Sequence, residues 1–217
     1  MKNLFVTSAF CAVLFVALIV LVTCVDVAAI GPAGTSVGLS HINQQVRDSI
    51  GTGETWYKIS KYLGYLALAT AAAVAVFGLW QLIREKSLQK VDREILILCG
   101  LYAVVAFFYV LFDKVAVNYR PVLEAGQTVP EPSFPSTHTL LACTIFGSAV
   151  MVLPKYVKNA GAARILQGCL IAAMVLTVVA RLLSGVHWVT DIIGGLLLST
   201  ALLALTGALL SRKSAEA

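Results

Sequence analysis

Six apolar runs recur along the chain, at residues 4–25, 62–83, 95–112, 139–153, 165–183 and 189–210. A helix needs about 20 residues to cross a hydrocarbon layer. Inside that layer each peptide N–H and C=O must find its partner within the segment, so runs of this length read as spanning helices. With only 12% of side chains charged, no water-soluble domain is left to build. The expected fold is all-α: a polytopic membrane protein, a six-transmembrane-helix bundle, in one domain over residues 1–217. The fourth run is short, but Pro135 and the hydroxyls of Ser136 and Thr137 form a helix start that extends it. Between the first two runs, residues 31–61 read as a polar loop, with a half-apolar pattern at 46–50 that predicts a short surface helix.

Charge sets the orientation. With the N-terminus inside, the inner segments hold ten Lys and Arg, Lys213 among them, and the outer segments six. That bias places both termini in the cytoplasm and residues 31–61, 113–135 and the turn at Ser184 on the extracytoplasmic side of the cell membrane. The formal charge of +5 is spread over loop ends rather than gathered on an arm, which argues against a nucleic-acid partner. Five cysteines fall inside apolar runs with no CxxC or Cys/His spacing, so neither a disulfide framework nor a zinc site is expected. The first run is longer than a signal-peptide core and is expected to remain as a helix, and Thr23 fits poorly before a lipidated Cys24.

Against this background one segment stands out, Arg181-Leu182-Leu183-Ser184-Gly185-Val186-His187-Trp188-Val189-Thr190-Asp191. An Arg or Asp at the centre of a spanning helix costs roughly 2.5 to 3.5 kcal/mol on insertion scales, so charges kept at its edge point to a polar site. If residues 186–210 form one helix, His187 and Asp191 stand at i and i+4 and share a face. The carboxylate then holds one imidazole nitrogen and leaves the other to attack. The loop 113–135 adds Lys114 and Arg120, and Pro135-Ser136-Thr137-His138 opens the fourth span on the same side. Fixed cations, hydroxyls and a helix N-terminus fit a phosphate. Two histidines with different neighbours fit a nucleophile, His187, and an acid/base, His138. The eleven acidic residues form no ligand cluster, so no metal or other cofactor is expected.

These residues resemble the type 2 phosphatidic acid phosphatase superfamily of membrane lipid phosphatases. Its motifs are Lys, six residues, Arg-Pro; Pro-Ser-Gly-His; and Ser-Arg, five residues, His, three residues, Asp. Arg181, His187 and Asp191 match the third, Pro135, Ser136 and His138 the second, and Arg120 and Pro121 the end of the first. The motif-bearing part spans about residues 95–210, and the segment 31–43 is similar to short Gram-positive bacterial members. The resemblance implies that His187 is the nucleophile, Asp191 its orienting partner and His138 the acid/base. Arg120, Ser136, Thr137, Arg181 and Lys114 would bind the substrate phosphate.

The chain departs from the family pattern at three positions. Lys114 lies one residue too close to Arg120, and Asp113 holds the family position; a one-residue shift turns a helical side chain by about 100°. Thr137 replaces Gly, and Ala180 replaces Ser. The implied substrate is a membrane lipid of the phosphatidic acid, phosphatidylglycerol phosphate or undecaprenyl pyrophosphate type, the last being the first choice for a Gram-positive source. The same residues also suit a lipid phosphotransferase, and a non-catalytic anion transporter is the competitor from another class. Nothing in the residues speaks to oligomeric state. Other candidates have plainer readings: His41, Asp26, Glu124 and Glu131 as solvated groups, and Trp188 as an interfacial anchor.

Overall fold

The computed structural model describes residues 1–123 and 128–212, which leaves Glu124 and Lys213 outside the described residues. Among the described residues seven α-helices follow in order: α1 Lys2–Cys24, α2 Ser40–Ile50, α3 Glu54–Glu85, α4 Arg93–Lys114, α5 Thr137–Tyr156, α6 Ala160–Leu183 and α7 Val189–Ser211. All but α2 are long and apolar enough to cross a membrane, as the six runs require. No strand occurs among the described residues; isolated bridges join Ala28 to Val37 and Tyr119 to Pro132.

The bundle is built around α5 and α7. About half of each apolar window is buried there (56% and 50%), against 6% for α3 and 17% for α1 and α6. The outer helices therefore turn most of their Val, Leu, Ile and Phe side chains outward, an arrangement that suits lipid and not water. Helix α1 lies along α7, burying Cys11, Phe15, Leu18 and Val22, a stripe at helical spacing. Phe15 stacks on Phe134 and meets Phe112 edge-on, tying α1 to α4 and to the segment before α5. Close approach of α5 and α7 depends on Gly195: a Cβ there would come within 2.9 Å of the Ser136 carbonyl oxygen and 3.0 Å of Thr139 Cβ.

Two boundaries differ from expectation. Residues 31–61 are not one polar loop, because α2 already begins at Ser40 and α3 at Glu54, eight residues before the apolar run. Gly51 and Gly53 break the chain between them, and Glu54 pairs with Lys58 one turn on at 2.7 Å, which supports a polar first turn for α3. Helix α2 is more than a surface rider. Its Asn43 is fully buried; the amide oxygen accepts from the Thr190 N–H at 3.3 Å and hydroxyl at 3.2 Å, and the amide nitrogen donates to Gly38 O. The second difference concerns α7, which begins at Val189 with Trp188 as its cap, so His187 lies outside the helix. Gly185, with φ of 66°, makes the tight turn out of α6 that forces this late start.

At the other end of the bundle, Asp92 accepts from Gln81 at 2.9 Å and Tyr156 at 3.1 Å, and Lys155 bridges Asp92 and Glu94. These bonds clamp α3, α4 and α5 far from the residues that follow.

Candidate active site

Arg181 comes from the last turn of α6 and is 1% exposed. Its guanidinium donates from Nη2 to His187 Nε2 at 3.0 Å and from Nη1 to Ser60 Oγ at 3.3 Å, and lies 5.8 Å from the centre of the Tyr57 ring. Guanidinium has no lone pair to accept with, so His187 Nε2 is the acceptor and the ring proton sits on Nδ1. Nδ1 faces Asp191 Oδ2 at 3.4 Å, a long contact. The same Oδ2 accepts the Trp188 N–H at 2.9 Å, as the third helical residue of a capping box does. Helix-capping geometry, and not a shared helical face, therefore brings His187 and Asp191 together. Burial pushes the proton affinity of His187 well below the ordinary imidazole value, and the Arg181 and Arg120 charges push the same way. A neutral ring with a lone pair on Nε2 follows.

The second motif is bonded to the third through the backbone: Ser136 N–H donates to Asp191 O at 2.9 Å. Ser136 is fully buried and caps α5, its Oγ accepting from the Thr139 hydroxyl at 3.0 Å. Thr137 and His138 occupy the first turn of α5. Among the described residues Arg181, Arg120 and Lys61 are cations near enough for their charge to act on the His138 ring, and His138 is itself felt at His187. Gly64 of α3 faces His138 so closely that a Cβ would lie 3.0 Å from its Cδ2.

Arg120 stands on a narrow loop whose two arms are bonded, Arg120 N–H to Glu131 O at 2.9 Å and Ser133 N–H to Asn118 O at 2.8 Å. Glu131 Oε2 pairs with Arg120 Nη2 at 3.2 Å, so it is a partner of the site and not merely a solvated loop charge. Trp188 corrects another expectation. It is 1% exposed and donates its indole N–H to Tyr119 O at 2.7 Å, which ties the His187 turn to the Arg120 loop instead of anchoring at an interface. Asp26, also read as a solvated group, caps α2 through Ser40 Oγ at 3.0 Å and His41 N–H at 2.9 Å.

Two cavities meet here. A polar one of about 240 Å³ is lined by Arg120, Glu131, Thr137 and His187, among others, and an apolar groove of about 520 Å³ runs between α3, α4 and α5. Thr137 and Tyr109 line both, and His138 stands at the head of the groove.

The structure thus brings together seven of the eight residues singled out in the sequence: His187, His138, Asp191, Arg120, Ser136, Thr137 and Arg181. Lys114 is not among them. It is the last residue of α4, its side chain is 75% exposed, and its ammonium pairs with Asp113 at 3.0 Å. The helix stays regular through Lys114, so the one-residue offset is not absorbed, and Asp113 lines the polar cavity in its place. Sequence reasoning missed Tyr57, Ser60 and Lys61 on α3. It also missed Asn118 and Ser133, both buried and bonded to each other through the backbone of the Arg120 loop. The α3 group had a signal: with a helix start at Glu54, Tyr57, Ser60, Lys61 and Gly64 fall on one face.

The family profile described as PAP2 superfamily matches residues 94–214, more than half of the chain. The chain belongs to the PAP2 superfamily. Among curated proteins none matches. A solved structure similar to this PAP2 chain is the crystal structure of the first transmembrane PAP2 type phosphatidylglycerolphosphate phosphatase from Bacillus subtilis. Identity is 16%, the TM-score is 0.66, and the match covers 97% of this chain and 99% of that one. At that identity the likeness shows the fold: a multi-pass, all-helical PAP2 architecture, with α1 and α2 included along with the part that the profile matches.

Proposed function

We propose that this PAP2 protein is an integral membrane phosphatase that hydrolyses a lipid phosphate or pyrophosphate through a phosphohistidine intermediate at the outer membrane face. The observation that carries the reading is the arrangement of His187: Nε2 unprotonated beside the Arg181 guanidinium, Nδ1 toward Asp191, at the edge of a polar cavity that adjoins an apolar groove. The phosphate enters the polar cavity and takes over donors from Arg181, with Arg120 and Thr137 around it. His187 Nε2 bonds to phosphorus as the bond from phosphorus to the leaving oxygen breaks, and His138 gives that oxygen its proton. Water then bonds to phosphorus while His138 takes its proton back, and the Nε2–P bond breaks to free inorganic phosphate.

The hydrocarbon of the substrate occupies the groove, whose lining is mostly Leu, Val, Ala and Tyr. The excess of Lys and Arg at the opposite end of the bundle supports cytoplasmic termini and an extracytoplasmic site.

The test is inorganic phosphate release by detergent-purified protein from a panel of phosphatidic acid, phosphatidylglycerol phosphate and prenyl pyrophosphates, with and without vanadate and chelator. The expected result is release that vanadate inhibits and chelator does not, abolished in a folded His187→Asn variant. Release that persists in His187→Asn, or that chelator stops and added metal restores, overturns the mechanism.

A further inference from the structure

One face of α3 walls the site from a side that none of the three motifs reaches. Tyr57 faces the Arg181 guanidinium, Ser60 accepts from it, and Gly64 admits the His138 ring. Lys61 lies on the same face, at i+4 from Tyr57 and i−3 from Gly64. It is exposed, and among the described residues it has no ion-pair or hydrogen-bond partner.

Its position relative to the two cavities gives it a direction. Arg120 and His187 border the polar cavity, Lys61 and His138 border the groove, and Thr137 lies between. A phosphorus atom attacked by His187 and relieved of its leaving oxygen by His138 therefore has its leaving group on the groove side, where Lys61 is. Every other residue lining the groove, apart from His138, is uncharged. A diacylglycerol leaving group brings no charge to that place. A leaving group that itself carries a phosphate brings one or two.

We propose that Lys61 is a specificity-determining residue that binds a second phosphate on the leaving side, so that the preferred substrates carry an anionic phosphate between the scissile phosphorus and the hydrocarbon. The proposal rests on the lipid phosphatase reading. It also accounts for a chain in which Lys114 of the first motif points away while a lysine stands on another helix. The bonds made and broken are those given above, and Lys61 forms none of them. It neutralises charge on the group that departs.

Two matched pairs of substrates separate the possible sources of that charge. One is a prenyl pyrophosphate against the prenyl monophosphate of the same chain, and the other is phosphatidylglycerol phosphate against phosphatidic acid. Phosphate release is measured with full-length wild type, Lys61→Met and Lys61→Arg, each checked for monodispersity and thermal stability. For Lys61→Met we expect kcat/KM to fall roughly tenfold on the doubly phosphorylated member of at least one pair and less than about threefold on its partner, with Lys61→Arg recovering most of the loss. A loss confined to pyrophosphate places the second charge directly beside the scissile bond. A loss in both pairs extends the site to a phosphodiester further along. Equal losses on all four lipids would make Lys61 a general phosphate ligand and overturn the proposal, as would no loss on any. Wild type inactive on every lipid overturns the phosphatase reading itself, and this inference with it.

Discussion

Replacing Arg181 by Lys keeps a buried positive charge and removes the fork that distributes it. Arg181 is 1% exposed, and it reaches His187 Nε2 at 3.0 Å and Ser60 Oγ at 3.3 Å from two nitrogens. A lysine has a single nitrogen on a flexible stem, so it cannot hold Ser60, stay by His187 and meet a phosphate together. Each charge-assisted hydrogen bond contributes about 1.5 to 3 kcal/mol. Losing one to two of those made in the transition state gives about 3 kcal/mol, or roughly a hundredfold in kcat/KM at about 1.4 kcal/mol per tenfold. Because the charge remains, long-range attraction for the anionic lipid persists, and KM is expected to change less than kcat. Arg181→Met removes charge and fork together and is expected to be slower by a further tenfold or so. The assay is initial-rate phosphate release across substrate concentration, on protein shown by thermal melting to be folded. Arg181→Lys within about threefold of wild type would refute the assignment of Arg181 as a forked ligand beside the nucleophile.

Lys114→Ala is expected to leave kcat/KM within about threefold of wild type, since its ammonium pairs with Asp113 and its side chain is 75% exposed; a hundredfold loss in phosphate release would show that it reaches substrate after all. Gly195→Ala forces a methyl to 2.9 Å from Ser136 O and 3.0 Å from Thr139 Cβ, and overpacking of this kind costs about 1 to 3 kcal/mol. Its thermal midpoint in detergent should drop measurably, and an unchanged midpoint would mean that α5 and α7 separate freely. The lowered proton affinity of His187 makes stability depend on pH with a definite sign. Below the ordinary value of 6.5 the unfolded chain takes a proton on this ring that the native one refuses, so stability is full above 6.5 and declines as pH falls, by up to about 1.4 kcal/mol per unit. Melts at several pH values between 7 and 5 should show that decline, shallower in His187→Asn; stability rising toward acid would contradict a buried neutral ring.

The spanning helices were legible because lipid leaves the backbone one solution, and an apolar run of about 20 residues announces it. The ends were less so. Residues 54–61 carry Glu, Lys and Ser and look like loop, yet they continue α3 beyond the apolar run, since a helix that emerges into water needs no apolar side chains. That single boundary hid Tyr57, Ser60 and Lys61 from the site. The His187 and Asp191 spacing was read for the right proximity and the wrong geometry: the residue before a cap stands four from N3, as i does from i+4 along a helix, and sequence spacing alone does not separate the two. Lys114 shows the reverse case, where motif likeness drew in a residue that helical phase excludes. Trp188 was read from composition as a membrane anchor; its buried bond to Tyr119 depends on a loop that no local pattern reports.

The polar groups are held by a frame that owes little to the lipid-facing helices. Ser136 N–H to Asp191 O joins α5 to α7, the Trp188 indole joins the α7 cap to the Arg120 loop, and Asn43 joins α2 to Thr190 at the start of α7. Each bond lies at one end of the two most buried helices, and Asp191, Ser136 and Trp188 are all at most 1% exposed. Buried polar groups that lose a partner cost about 1 to 3 kcal/mol each, so this layer has one low-energy arrangement and resists small displacements. Helix α3 is different: only 6% of its apolar window is buried, and it meets the site through the Ser60 hydroxyl, the Tyr57 ring and the close approach at Gly64. A bundle arranged this way holds His138, His187 and Asp191 at or beside the ends of the two most buried helices, and places the groove, bordered by Lys61, against a wall that is itself mostly turned outward.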